Sequence, residues 1–140
     1  FDGVVMTDWY STLPGLADQM HAFKKDNRMC ELLHEAFSLL PRPAITYAEA
    51  HRRLVKGEVE QVRIADAGGR TVATGIVPYP PGIPLLAPGE ETGEEGGPLL
   101  KYLKALEDFD RCFPGFEHRI HGIEKISGEY VMHCIRGRQE

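Results

Sequence analysis

The sequence predicts an α+β domain in which three to four helices pack on a small, mostly antiparallel sheet made of hairpins. Two observations carry this expectation. Apolar residues recur at helical spacing in three separate stretches, near residues 16–23, 30–40 and 99–113. Around them lie extended runs broken by glycine-bearing turns, and no strand–helix–strand unit repeats, which argues against a parallel sheet. At 140 residues and 42% apolar content, the stretch 1–140 reads as one domain with a core of its own.

Leu16, Met20 and Phe23 form the first helical stripe, and Pro14 suits a first turn. Asp26-Asn27 marks a break before the second stripe, Cys30, Leu33, Phe37 and Leu40, which Pro41 and Pro43 stop. Thr46 with Glu49 three residues later is a capping box, so a short helix through Tyr47, Ala50 and Leu54 opens there and ends at Gly57. Residues 58–64 alternate in polarity, and Asp66-Ala-Gly-Gly69 turns the chain into a second extended run from Arg70 to Val77; together they predict a hairpin. Pro98 starts a long helix with Leu99, Leu103, Leu106 and Phe109 or Phe113 inward, ended by Pro114-Gly115. The runs Ile120 to Ile126 and Tyr130 to Ile135 flank Ser127-Gly128, a closing hairpin.

Five prolines and three glycines fall within the sixteen residues from Gly75 to Glu90, a composition that excludes a regular strand or helix. Each proline fixes φ and holds its predecessor extended, so Pro78, Pro80, Pro81 and Pro84 stiffen a shaped structural loop. The interleaved apolar residues mark a packed loop, with Ile83 and Leu85 expected to be buried. Tyr79, between two prolines, has two readings: it reaches into a neighbouring domain, or it fills a local apolar pocket.

A net charge of −5 without a basic cluster larger than two residues argues against nucleic acid or an anionic membrane surface as partner. The apolar stretches are too short to span a bilayer. Cys30, Cys112 and Cys134 are widely spaced among apolar neighbours and read as reduced core residues of a cytosolic protein. His118 and His121 are three apart on an extended segment, which sends them to opposite faces, and no cysteine stands at zinc-site spacing, so no metal site is expected. Beginning at Phe1 without a leader, the chain reads as a segment of a longer one.

The run Val77 to Glu90, VPYPPGIPLLAPGE, followed by Phe113-Pro-Gly-Phe-Glu-His118 and His121-Gly-Ile-Glu124, resembles the C-terminal part of the acid-inducible ornithine/lysine/arginine decarboxylases. Leu39-Leu-Pro-Arg-Pro-Ala-Ile-Thr-Tyr-Ala-Glu-Ala50 and Gly128-Glu-Tyr-Val-Met-His-Cys134 extend the resemblance over roughly residues 14 to 135. The FEHRIHGIE and YVMHCI ending is most similar to the biodegradative arginine enzymes.

The resemblance implies a pyridoxal-phosphate-dependent carboxy-lyase, converting arginine to agmatine and carbon dioxide, with lysine or ornithine as alternative substrates. It further implies a cytoplasmic enzyme of acid resistance, a dimer that assembles into larger rings, and a cofactor-binding core upstream in the same chain. In that family the Schiff-base lysine follows a Ser-x-His-Lys pattern, and none of the six lysines here does, so no catalytic or cofactor-binding residue is expected in this segment. Glu90 and Glu91, with Glu94 and Glu95, are candidates for drawing a cationic substrate toward an entrance, against the plainer reading of a solvated charge run. A rival function is a free-standing interaction module that offers PYPPGIP to an aromatic-lined groove.

Overall fold

A computed structural model describes residues 13–79 and 82–137. The element order is α1 (Leu13–Asp26), α2 (Met29–Ser38), α3 (Tyr47–Val55), β1 (Val59–Arg63), a 3-10 turn (Ile64–Asp66), β2 (Val77–Tyr79), α4 (Pro98–Cys112), β3 (Arg119–His121), β4 (Ile123–Ile126) and β5 (Glu129–Ile135). β1, β5 and β4 form an antiparallel sheet in that order, and β2 pairs with β3 in a separate two-stranded sheet. This is the α+β architecture the sequence predicts.

α4 is the central element. Leu99, Leu103, Leu106 and Phe109 are all buried, as the stripe requires, and so are Leu100, Tyr102 and Ala105. The helix is covered on more than one side, which a single stripe does not reveal. Its far end meets α1 through an aromatic cluster in which Phe23 stands edge-on to Phe109 at 5.6 Å and to Phe113 at 5.7 Å. Pro98 occupies the first turn, where a missing N–H costs nothing.

The break at Asp26-Asn27 lies where the sequence puts it, with Arg28 in the left-handed region (φ 52°). The stripe of α2 is rotated by about one residue from the expected one. Met29 and Ala36 are buried with Leu32, Leu33 and Phe37 packed beside them, whereas Cys30 and Leu40 are exposed. Helix α2 stops at Ser38, so Leu40 is no longer on a helical face; Leu39 is already extended. At α3 the Thr46 Oγ1 accepts the Glu49 N–H at 3.1 Å, and Gly57 beyond its end takes φ 76°.

The expected hairpin between residues 58–64 and 70–77 does not form. β1 pairs instead with β5, Val62 lying opposite Met132. β5 is buried at five of its seven positions and so can accept neighbours on both edges. The chain does turn at this point, the Arg70 N–H donating to Ala67 O at 3.3 Å, but the turn does not join paired strands, and Ile64 and Ala67 beside it are buried in the core. The run after it crosses to the other edge of β5, where Val72 bridges Cys134 beyond the last β4 pair, Ile123 opposite Met132. The closing hairpin forms, with Ser127 and Gly128 both at positive φ (53° and 78°) in its two-residue turn, but its first arm is Ile123–Ile126 and not the whole of 120–126. The chain breaks at Gly122 (φ 85°), and Arg119–His121 pairs with β2.

The cysteines divide. Cys134 is buried, but Cys30 and Cys112 are exposed: Cys30 because α2 is rotated, Cys112 at the last position of α4.

Candidate functional site

The proline-rich run is a clasped loop. The Ile76 N–H donates to Leu86 O at 2.9 Å, the Leu85 N–H donates back to Ile76 O at 2.8 Å, and Gly82 N–H closes on Pro78 O at 2.7 Å. Pro78, Leu85 and Leu86 are buried at its base. Contrary to the expectation that no regular strand runs here, Val77–Tyr79 pairs with β3; in a two-stranded sheet each strand keeps a free edge, where proline's missing donor is tolerated. Ile83 also departs from expectation. It is 55% exposed at the loop tip, beside exposed Pro84, because the clasp turns Leu85 and Leu86 inward and leaves the tip outside. Tyr79 is 47% exposed, and its ring lies over Gly82, where a Cβ would sit 3.0 Å from it; φ of 80° there also favours glycine. Pro80 and Pro81 lie outside the described residues.

The acidic segment is woven into the fold at its start. Val72 N–H donates to Glu90 O, Glu91 N–H to Arg42 O and Thr92 N–H to Arg70 O, so residues 90–92 run between two other segments. The Glu90 carboxylate folds back to accept the Ala87 N–H. Glu91 lines a hollow of about 200 Å³ with Leu39, Leu40, Pro41 and Arg42.

A buried polar cluster that the sequence reading missed joins α4 to the closing hairpin. Asp110, with a side chain only 6% exposed, accepts the His118 backbone N–H and pairs with His118 Nδ1, both at 2.8 Å, and with Lys125 Nζ at 2.7 Å. Its second oxygen takes the Tyr130 hydroxyl. Burial pushes the Asp110 carboxyl up, but the hydrogen bonds from His118, Lys125 and Tyr130 outweigh it and hold the group below its ordinary value. Burial and the adjoining Asp110 charge push the Tyr130 phenol well up. Glu107, one turn earlier, accepts the Tyr130 N–H at 2.7 Å and the Lys104 ammonium at 2.8 Å. The available signal was two carboxylates, Glu107 and Asp110, interleaved with the inward residues of α4, since buried charges require partners.

The arrangement anchors structure. A cofactor-bearing lysine requires a desolvated, unpaired amine. Lys125 and Lys104 are ion-paired, Lys24 stands 5.3 Å over the Phe109 ring, and Lys25, Lys56 and Lys101 are exposed. None of the six lysines is buried. His118 and His121 separate as expected: His118 faces Asp110, and His121 lines a different hollow with Tyr47, His51, Leu54, Thr74 and Gly75. No three metal-ligating side chains gather among the described residues, and no described helix is long and apolar enough to cross a membrane.

Residues 30–136 match the family model described as Orn/Lys/Arg decarboxylase, C-terminal domain. Similar proteins include the biodegradative arginine decarboxylase of Escherichia coli, 42% identical over 86% of this chain and 16% of its own length. A lysine decarboxylase of Pseudomonas aeruginosa is 41% identical over 89% of this chain and 17% of its own. Among solved structures, E. coli constitutive lysine decarboxylase superposes with a TM-score of 0.81 at 33% identity, covering 94% of this chain and 20% of that one. This chain thus spans about one sixth of the relatives it matches. Fold and matched residues agree, and the chain belongs to the Orn/Lys/Arg decarboxylase C-terminal domain family.

Proposed function

We propose that the chain is the C-terminal structural domain of a pyridoxal-phosphate-dependent decarboxylase acting on arginine, with release of carbon dioxide and agmatine. The observation that carries this reading is the 42% identity to an arginine decarboxylase along nearly the whole domain. The lysine enzyme at 41% stands close behind, so the arginine assignment leans on the FEHRIHGIE and YVMHCI ending. When bound, the cofactor supplies the electron sink for loss of the carboxylate. The ion-paired and exposed lysines here support its being held by an upstream core of the same chain, and the family resemblance is what supports a cytoplasmic homo-oligomer.

The part played by this segment is to pack against that core. With the Glu90 carboxylate engaged by Ala87, any attraction of a cationic substrate falls mainly to Glu91, Glu94 and Glu95. Burial of Pro78 speaks against the rival proline-motif module, because a groove-binding ligand must offer that face.

The test is to express the longer chain that contains this segment, with cofactor, and to measure carbon dioxide from arginine, lysine and ornithine. Preference for arginine is expected. Preference for lysine or ornithine would replace the substrate assignment, and no turnover of any of the three would overturn the reading.

A further inference from the structure

The helix α3 is amphipathic, yet most of its apolar side faces outward. Glu49, Arg52 and Arg53 share one side and bind one another, with Glu49 Oε1 accepting from Arg53 Nε at 3.0 Å. The other side carries Tyr47, Ala50, His51, Leu54 and Val55, at spacings that share one face. Of these only Ala50 is buried, while Tyr47 is 66% and Val55 72% exposed. An apolar face of this kind on a soluble domain marks a contact surface.

Directly beside it, Thr74 supplies an independent sign. Its Oγ1 is shut off from solvent and is the one buried side-chain polar atom among the described residues without a hydrogen-bond partner. An unsatisfied buried hydroxyl loses its hydration without compensation, so it is rarely retained without a use. Thr74 lines the hollow of about 160 Å³ formed with Tyr47, His51, Leu54, Gly75 and His121.

We propose that this face and its hollow are the seat on which the remaining part of the decarboxylase chain docks, through an apolar segment that places one polar group in the hollow, where rotation of the Thr74 side chain brings its Oγ1 to that group. The inference rests on the proposed membership in a longer decarboxylase. The occupant is the rest of that chain because this fold covers only 16% to 20% of the relatives in which it occurs, leaving most of such a protein to cover it. Contact faces between domains of one chain bury roughly 600 to 1,500 Å² and mix apolar with polar groups, as this one does.

Three substitutions, Thr74→Val, Tyr47→Asp and Val55→Asp, are made both in the 140-residue chain and in the longer chain, and thermal midpoints are compared. In the 140-residue chain Thr74→Val leaves the midpoint unchanged or raises it, because an unpartnered hydroxyl is removed, and the two exposed positions shift it by less than about 2 °C. In the longer chain all three lower the unfolding midpoint of this domain by roughly 3 °C or more, with faster hydrogen exchange in α3. Equal shifts in the two chains would overturn the proposal. So would sedimentation showing that the 140-residue chain dimerises and that Val55→Asp abolishes it, which would give the face to a second copy. The substrate assay on the unsubstituted longer chain judges the decarboxylase reading separately, since the docking test reads stability and exchange.

Discussion

The hydroxyl of Tyr130, in β5, donates to the Asp110 carboxylate, on the last turns of α4, so the main helix and the central strand are joined by a polar bond inside the core. Around that bond stand His118 and Lys125, each from a different segment of the closing hairpin region. A single carboxylate thus fixes three parts of the chain relative to the helix.

Asp110→Asn keeps the shape but turns one acceptor into a donor facing an ammonium and a phenol. A loss of roughly 2 to 4 kcal/mol is expected in urea unfolding at neutral pH. Because the folded Asp110 titrates below its ordinary value, its contribution is present above about pH 4 and is lost as pH falls toward the folded value. The gap between native and variant stability should therefore narrow in acid. A gap independent of pH between 3 and 7 would show that ionisation of Asp110 is irrelevant.

The clasped loop predicts opposite outcomes two residues apart. Ile83→Asp, at the exposed tip, should change the stability of the 140-residue chain by less than about 0.5 kcal/mol. Leu85→Ala, at the buried base, should cost about 2 to 4 kcal/mol. Comparable costs at both positions, in the same denaturant titration, would mean the tip is packed.

Gly122 lets two backbones cross. A Cβ there would lie 2.1 Å from Gly75 O, and φ is 85°. Gly122→Ala should cost at least about 3 kcal/mol, since the neighbour is backbone and cannot step aside. Gly128→Ala, with a similar φ of 78° but open space around it, should cost about 1 to 2 kcal/mol. Thermal unfolding of the two variants gives the comparison.

Thiol reagents should distinguish the three cysteines. Cys30 and Cys112 are exposed and should react within the mixing time of an excess of disulfide reagent. Cys134 is buried, and burial pushes its thiol up to about 11, so it should react only at the rate of unfolding. Three equivalent thiols in the folded protein would contradict the burial of Cys134.

The helices and the closing hairpin were legible because their signals are local. Thr46 caps Glu49, Pro98 opens α4, and Ser127-Gly128 adopts the two positive φ angles its turn requires. The partner of β1 was not, since alternation identifies a strand but not the strand beside it; only the depth of β5 in the core decides that. Likewise Ile83 and Leu85 look alike in sequence, and the hydrogen bonds of Ile76 to the far side of the loop separate them. The Asp110 cluster is intermediate: two acidic residues on an inward face announce that partners exist, while His118, Lys125 and Tyr130 follow only from the tertiary fold. Thr74 carries no signal at all in the sequence, because an orphaned hydroxyl is a property of its surroundings.

The Ile76 clasp has a kinetic consequence. A flexible proline-rich arm must be frozen by whatever it touches, and that ordering subtracts from affinity. Here the base is closed by the protein's own backbone, so Tyr79 and Ile83 are presented on a footing that is already ordered. Contact with this tip forfeits little chain entropy, and its rate is governed by how often two surfaces meet in the correct orientation rather than by a folding step.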